Sequence, residues 1–156
     1  MSSRDYQLYH TSLPALAGRK SFVTLATNSI KLHIDKDEKK GTYLWIDPPW
    51  AFGRAETLIE SSETCPDHKD PEYGLKFEAW GSRFEPVFQS SITRIESEPS
   101  GRLTVFFEGE YELVVPALRP VHARDSWYDH WYFTDQNQKE KTEPNKSATA
   151  NALDLT

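Results

Sequence analysis

The segment from Gly101 to Pro116 constrains the fold most, because it contains two short alternating apolar runs joined by a turn with a glycine. The apolar residues of each run point to one face of a strand: Leu103, Val105 and Phe107 in the first, and Tyr111, Leu113 and Val115 in the second. When Phe107 is set opposite Tyr111 across Gly109, both apolar stripes lie on the same side. The segment therefore predicts an antiparallel β-hairpin that covers a core.

The composition is typical of one small domain with an aromatic-rich core and a charged surface. The chain has 156 residues, of which 37% are hydrophobic and 13% are aromatic, and this is enough to bury a core without disulfides or metals. It carries 24 acidic and 18 basic residues, so its formal net charge is -6. Because the basic residues are scattered rather than clustered, we expect no nucleic-acid binding. An acidic surface instead suits a basic protein partner.

Cysteine usage and the lack of a long apolar run predict a cytoplasmic protein that has no membrane segment. Cys65 is the single cysteine, so the chain cannot form an internal disulfide, and a reducing compartment fits this. No apolar run is long enough to span a bilayer or to serve as a signal segment. Residues 1–133 are predicted to form one globular domain. Residues 134–156 are predicted to be a disordered tail that could become helical on binding.

The remaining pattern predicts an α+β fold that is mostly antiparallel β-sheet. Two short helices are expected, one over residues 12–18 and one from Pro71 to about Trp80, after an acidic start signal at Asp70. Strands are predicted where apolar and polar residues alternate, at 22–27, 30–34, 42–47, 55–60, 84–95 and 127–133, and residues 84–95 form either one strand or a bent pair of strands. Short strands with two short helices favour a single layered domain.

Two stretches of the chain, 18–50 and 81–117, show the same order of motifs at an offset of roughly 65 residues. Each has a helix that ends in glycine, then a strand, a hairpin and a proline, and Phe22-Val23 corresponds in this comparison to Phe84–Val87. Residue identity is weak, and any two β-meanders share such an outline. If the stretches are an internal repeat, two helix–strand–hairpin units would pack as a sandwich or a half-barrel around one core.

The order of these motifs resembles the DUF6188 family of small bacterial domains of unknown function. The likeness is concentrated in Gly101–Pro116, which is similar to a Gly-x-Leu-x-Leu-x-Phe-x-x-Gly hairpin followed by a proline. The chain departs from this pattern after Pro116, where the segment to Phe133 is longer and richer in His, Asp and aromatic residues. The resemblance implies a small acidic neighbour of a polymorphic toxin, that is, an immunity protein. It implies no catalytic residues.

Residues that could carry chemistry are present, but their spacing matches no standard catalytic or metal motif. Two histidines and two aspartates could bind zinc or serve as acid and base: His122, Asp125, Asp129 and His130. Polar side chains on an aromatic strand are the more frequent explanation for such a set. The chain has no Gly-x-Ser-x-Gly motif and no glycine-rich phosphate loop. We therefore predict no enzyme activity, no cofactor and no metal site.

Two groups of residues are predicted to bind a partner. The densest acidic stretch would steer a basic partner and consists of Glu56, Glu60, Glu63, Asp67, Asp70 and Glu72. The aromatic run would supply apolar anchors and consists of Trp127, Tyr128, Trp131 and Tyr132, with Trp45 and Trp50 as further candidates. In a strand, neighbouring residues point to opposite faces, so Trp131 and Phe133 would face one side and Tyr132 the other. One set then needs cover from another segment or from a partner.

Three functional hypotheses remain at this point. The first is a non-enzymatic immunity protein that neutralises a cognate basic toxin by occlusion. The second is a small-molecule or metal-dependent hydrolase or binder that uses His122, Asp125 and His130. The third is a structural module that self-associates through the aromatic strand. Composition and the resemblance favour the first.

Overall fold

An antiparallel β-sheet dominates the computed structural model, which describes residues 12–34, 41–117 and 131–134. The strands are β1 Lys20–Ala26, β2 Ser29–His33, β3 Tyr43–Ile46, β4 Ala51–Arg54, β5 Thr57–Ser61, β6 Gln89–Ser97, β7 Leu103–Phe107, β8 Tyr111–Val115 and β9 Trp131–Thr134. They form one open sheet in the order β5-β4-β8-β7-β6-β1-β2-β3-β9. The α-helices are α1 Tyr73–Ser82 and α2 Glu85–Phe88, and shorter 3-10 helices cover Leu13–Leu16, Ser62–Thr64 and Glu108–Glu110. The prediction of a mostly antiparallel β fold is confirmed.

The hairpin predicted over Gly101–Pro116 forms β7 and β8 in the predicted register. Phe107 pairs with Tyr111, Val105 with Leu113, and Leu103 with Val115. The loop between the strands has left-handed backbone at Gly109 (φ 81°) and Glu110 (φ 67°), which matches the twist of the flanking strands. Side chains on the predicted apolar face of this hairpin lie in the core.

Two three-stranded meanders, β1–β2–β3 and β6–β7–β8, lie side by side and meet where β1 pairs with β6. At its outer edge, each meander pairs with a strand that follows the other meander in the chain. β4 follows the first meander in the chain but pairs with β8 of the second, whereas β9 follows the second meander but pairs with β3 of the first. The structure does not test whether the two stretches, 18–50 and 81–117, are an internal repeat, and the repeat stays a prediction.

One face of the sheet buries a continuous apolar core, in which Leu32, Leu44 and Val105 are fully buried. An aromatic cluster joins the helical segments to this face and consists of Trp50, Phe52, Trp80 and Phe84. The ring of Phe84 lies 4.9 Å from that of Phe52 and 5.0 Å from that of Trp80. Because burial of one large apolar side chain contributes roughly 1.5–3 kcal/mol, this cluster fixes α1 and α2 against the sheet.

The strand predicted over residues 55–60 is present as β5 with shifted bounds, but a second strand, β4, that was not predicted pairs with it in a hairpin. β4 ends at Arg54, Ala55 and Glu56 form the turn, and β5 begins at Thr57. Ala55 (φ 48°) and Glu56 (φ 68°) both have left-handed backbone, which turns of this kind usually assign to Asn or Gly. Gly53 is needed beside the turn, because a Cβ atom there would lie 2.6 Å from the Thr57 carbonyl oxygen.

The strand predicted over residues 84–95 begins too early. Glu85–Phe88 form α2, and β6 starts at Gln89. Pro86 lies in the first turn of α2, where its missing N–H costs no hydrogen bond. The correspondence of Phe22-Val23 with Phe84–Val87 is therefore wrong in detail, since one pair lies in a strand and the other in a helical segment.

Both predicted short helices are present with shifted bounds. The first is the 3-10 helix Leu13–Leu16, which precedes Gly18 (φ 85°), and the second is α1, which begins at Tyr73 rather than Pro71. None of the helices in the described ranges is both long and apolar enough to cross a membrane. Thr134, predicted to begin the tail, belongs to β9 and pairs with Tyr43. The rest of that tail and residues 121–130 lie outside the described residues.

Candidate partner-binding site

The six predicted acidic residues fall into two groups with different surroundings. Asp67, Asp70 and Glu72 lie in the loop before α1, whereas the other three lie along the β4–β5 hairpin and its end. Glu56 is in the turn, Glu60 is on β5, and Glu63 is in the 3-10 helix Ser62–Thr64. The structure therefore separates a loop group from a hairpin group.

Asp70 in the loop group organises the start of α1. Its carboxylate accepts hydrogen bonds from Lys76 Nζ at 2.6 Å and from the Glu72 backbone N–H at 2.8 Å. The bond from Lys76 is the main reason that the pKa of Asp70 lies below its ordinary value, with a smaller contribution from the Glu72 N–H. Asp67 accepts a bond from the Lys69 N–H at 2.9 Å. These two carboxylates therefore shape the loop.

The hairpin group lies beside a second acidic turn that the sequence analysis did not select. The β4–β5 turn packs on the β7–β8 turn, with the Ala55 N–H donating to the Glu110 carbonyl at 3.0 Å and Arg54 Nε donating to the Gly109 carbonyl at 3.0 Å. The two hairpins, residues 51–61 and 103–115, together contain one basic residue, Arg54, and five glutamates: Glu56, Glu60, Glu108, Glu110 and Glu112. Their formal charge is thus five negative and one positive, a net of -4. We call this surface the acidic corner.

A shallow apolar groove adjoins the acidic corner on the sheet face opposite the core. Two neighbouring depressions, of about 340 Å³ and 170 Å³, are both lined by Ala51, Leu58 and Val114. Pro49 and Pro116 line the larger depression together with Glu63, and Glu56 and Glu112 line the smaller one. Leu58 is 63% exposed, so an apolar side chain stands in solvent between carboxylates.

The pairing of β4 with β8 creates this groove, because it sets Ala51 opposite Val114 and Gly53 opposite Glu112. These residues are about sixty positions apart in the chain, and no local pattern predicts their contact. The run Glu-Gly-Glu-Tyr-Glu in the β7–β8 hairpin is a sequence signal for further acidic residues. By itself it does not identify a site, because the sequence does not show which residues lie beside it in space.

The structure divides the predicted aromatic anchors. Trp131 and Trp50 are buried, and their indole N–H groups donate to the Gly101 carbonyl at 2.7 Å and the Asn28 carbonyl at 2.8 Å. Both therefore belong to the core in this structure. Tyr132 is 39% exposed on the opposite face, where its ring meets Tyr43 edge to face with centroids 6.1 Å apart. Trp127 and Tyr128 lie outside the described residues.

Trp45 shares the outer face with Tyr132, because the two residues pair across β3 and β9. Its indole donates to Asp47 Oδ1 at 2.8 Å, and Asp47 also accepts from Ser29 Oγ at 2.6 Å. Lys31 Nζ lies 4.5 Å from the centre of the Tyr43 ring on the same face. This aromatic face therefore carries a cation, in contrast to the acidic corner.

The one cysteine lies in a polar depression of about 280 Å³ that Asn28, Ser62, His68 and Tyr73 also line. Burial raises the pKa of the Cys65 thiol, which disfavours the thiolate that nucleophilic catalysis or metal binding would need. Among the residues that the structure describes, no cluster of three or more His, Cys, Asp or Glu side chains could hold a metal ion. His122, Asp125 and His130 lie outside those residues.

Comparison with known proteins adds no relative. No protein-family model, no curated protein and no solved structure matches this chain. The likeness to DUF6188 domains stays a prediction.

Proposed function

We propose that this protein is a non-enzymatic binding protein that occludes a basic protein partner through the groove and the acidic corner. The observation that carries the proposal is Leu58, which is 63% exposed between Glu56, Glu63 and Glu112. Exposed apolar surface with a polar rim is typical of interaction sites. The apolar groove would supply affinity, and the carboxylates would speed the encounter and select for a basic partner.

Within this proposal the partner is a toxin and the protein is its cytoplasmic immunity protein. Occlusion requires that the protein covers the partner's working surface, which needs complementary shape and charge but no chemistry. A net charge of -6 for the chain and -4 for the two hairpins suits a partner with a positive surface, such as an enzyme that acts on nucleic acid. The resemblance to domains found beside polymorphic toxins supports the same role.

We also propose that the open sheet curls into a half-barrel that holds the site rigid. Support comes from two indole hydrogen bonds that join segments distant in the strand order. Trp131 at the start of β9 donates to Gly101, in the turn between β6 and β7, and Trp50 before β4 donates to Asn28, in the turn between β1 and β2. Such contacts are expected where a sheet bends toward its core face.

The test of the function is direct binding between this protein and the protein encoded beside its gene. We expect a complex whose association slows as salt concentration rises, because salt screens the acidic corner. We also expect co-expression to protect cells from the neighbour's toxicity. An unrelated folded protein of the same net charge is the matched control and should neither bind nor protect. Absence of both binding and protection would contradict the proposal.

A further inference from the structure

β5 forms an edge of the described sheet. It stands at one end of the strand order, and β4 is its partner among the described strands. The outer side of an edge strand presents backbone N–H and C=O groups that another strand can use. At Ser61 these groups already bond with the Thr64 hydroxyl, at 3.0 Å to the N–H and 2.8 Å to the carbonyl. The stretch Thr57–Glu60 is therefore the part of the edge that can receive a strand.

The side chains of β5 favour one kind of incoming strand. Proteins often protect edges with lysine, proline or a β-bulge. Residues 57–61 contain neither lysine nor proline, and β5 has one irregularity, a register shift between its pairings with Phe52 and Gly53. Leu58 stands exposed at the middle of this edge. An antiparallel pair of two copies centred on Leu58 would bring Glu60 of one copy close to the turn residue Glu56 of the other, and facing like charges destabilise a sheet. The edge therefore disfavours a second copy and favours cations.

We propose that the partner inserts an extended basic segment alongside Thr57–Glu60 as a tenth strand of the described sheet. This inference rests on the proposed function, because it supplies the geometry by which a basic protein would be held. The backbone of the segment would bond to the β5 edge, and an apolar side chain at its centre would pack on Leu58. Lysine or arginine two positions to either side of it would lie near Glu56, in the turn before β5, and Glu60, on β5.

The experiment uses two seven-residue peptides as probes, Thr-Lys-Thr-Val-Thr-Lys-Thr (the lysine peptide) and Thr-Glu-Thr-Val-Thr-Glu-Thr (the glutamate peptide), which place the central valine opposite Leu58 and the charged residues near Glu56 and Glu60. Amide hydrogen exchange is measured by NMR on the full chain with each peptide and without either. We expect the lysine peptide to slow exchange at amides within Thr57–Glu60, and the glutamate peptide to have no effect there. Slowed exchange at other strands only, equal effects of both peptides, or concentration-dependent protection of β5 without peptide would overturn the inference.

Two exposed leucines give a matched pair of variants. Leu58→Asp should weaken binding of the lysine peptide by about tenfold or more, whereas Leu75→Asp, at a residue that is 74% exposed on α1, should leave it unchanged. Circular dichroism confirms that each variant folds, and Glu56→Lys provides a second reduction in binding if Leu58→Asp does not fold. Equal effects of Leu58→Asp and Leu75→Asp, or undiminished binding by a folded Leu58→Asp or Glu56→Lys variant, would overturn the inference.

The same measurement on the complex with the protein encoded beside the gene separates the two proposals. If that protein binds and protects cells but the amides of Thr57–Glu60 exchange as before, strand addition is wrong and the proposed function stands. If the lysine peptide protects β5 while no neighbouring protein binds, the edge accepts basic strands and the proposed function is wrong.

Discussion

The two meanders of the sheet share a framework but differ in surface chemistry. The 3-10 helix Leu13–Leu16 precedes the first meander and contacts β6 of the second. Helix α2 precedes the second meander and contacts β1 of the first. Each meander also has its hairpin turn bonded by a buried tryptophan, Trp50 at Asn28 and Trp131 at Gly101. The strands of the first meander and β9 contain Lys20 and Lys31 and no carboxylate, whereas the second meander and its neighbours carry the acidic corner.

This difference shows where the core ends and the proposed site begins. The shared features are buried and hold the sheet together, so they are framework. The β4–β5 hairpin adds the edge strand β5 and the exposed Leu58 to the second meander, whereas the first meander is extended by the single strand β9. We therefore expect changes to the shared features to affect stability, and changes to the hairpin to affect binding.

The largest expected effect comes from the two framework tryptophans. Trp50→Ala and Trp131→Ala should each destabilise the fold by about 3–5 kcal/mol, because each leaves a cavity and an unpaired carbonyl. Urea unfolding followed by circular dichroism measures both. The phenylalanine variants keep most of the packing and should cost about 1 kcal/mol for the lost hydrogen bond. If one of the two alanine variants leaves the free energy of unfolding unchanged, the two tryptophans do not have equivalent roles in the two meanders.

A substitution at Gly53 tests the β4–β5 hairpin, which pairs with the second meander. Gly53→Ala should destabilise the protein by about 1–3 kcal/mol, because the new Cβ would lie 2.6 Å from the Thr57 carbonyl. Gly74→Ala is the control, since Gly74 lies in α1 with no atom near the new Cβ, and it should stabilise by up to about 1 kcal/mol. Thermal unfolding measures both. A neutral Gly53→Ala would mean that β4 and β5 do not pack as closely as described.

Charge reversal tests whether the acidic corner steers the partner. Glu56→Lys combined with Glu110→Lys should slow association with the basic partner by about tenfold at low salt. The control, Glu78→Lys combined with Glu85→Lys, changes the net charge equally on exposed residues of α1 and α2 and should have a much smaller effect. Stopped-flow or surface plasmon resonance gives both rates. If both double variants slow association equally, the net charge of the protein steers the partner and the acidic corner has no special role.

The smallest effect concerns Asp70, which belongs to the loop rather than to the corner. Its pKa is lower in the folded chain because Lys76 bonds to it, so the unfolded chain binds more protons between the two pKa values. The stabilisation is present above the ordinary aspartate pKa and is lost as pH falls through the folded value. Thermal unfolding across acidic pH should show a small decline for the wild type and a flatter profile for Asp70→Asn. If Asp70→Asn leaves the dependence of thermal stability on pH unchanged, the bond between Asp70 and Lys76 does not contribute to acid sensitivity.

Sequence reasoning predicted local pairing well and distant pairing poorly. The register of β7 with β8 followed from alternation and from Gly109, which marked the turn. The β4–β5 turn was missed because Ala55 and Glu56 are not typical turn residues, and α2 was missed because its four residues are too few to show a helical period. Glu56 was predicted to bind a partner, and its position beside Glu110 depends on a contact between two turns that no local pattern shows.

The most direct test of the central claim is photo-crosslinking from the two halves. The photoreactive residue p-benzoylphenylalanine replaces either Leu58 in the groove or Tyr132 on the aromatic face, both of which are exposed, and the protein is irradiated with the basic protein encoded beside its gene. We predict a crosslink from position 58 and none from position 132. A crosslink from position 132 with none from position 58 would contradict the assignment of the binding site to the groove and the acidic corner.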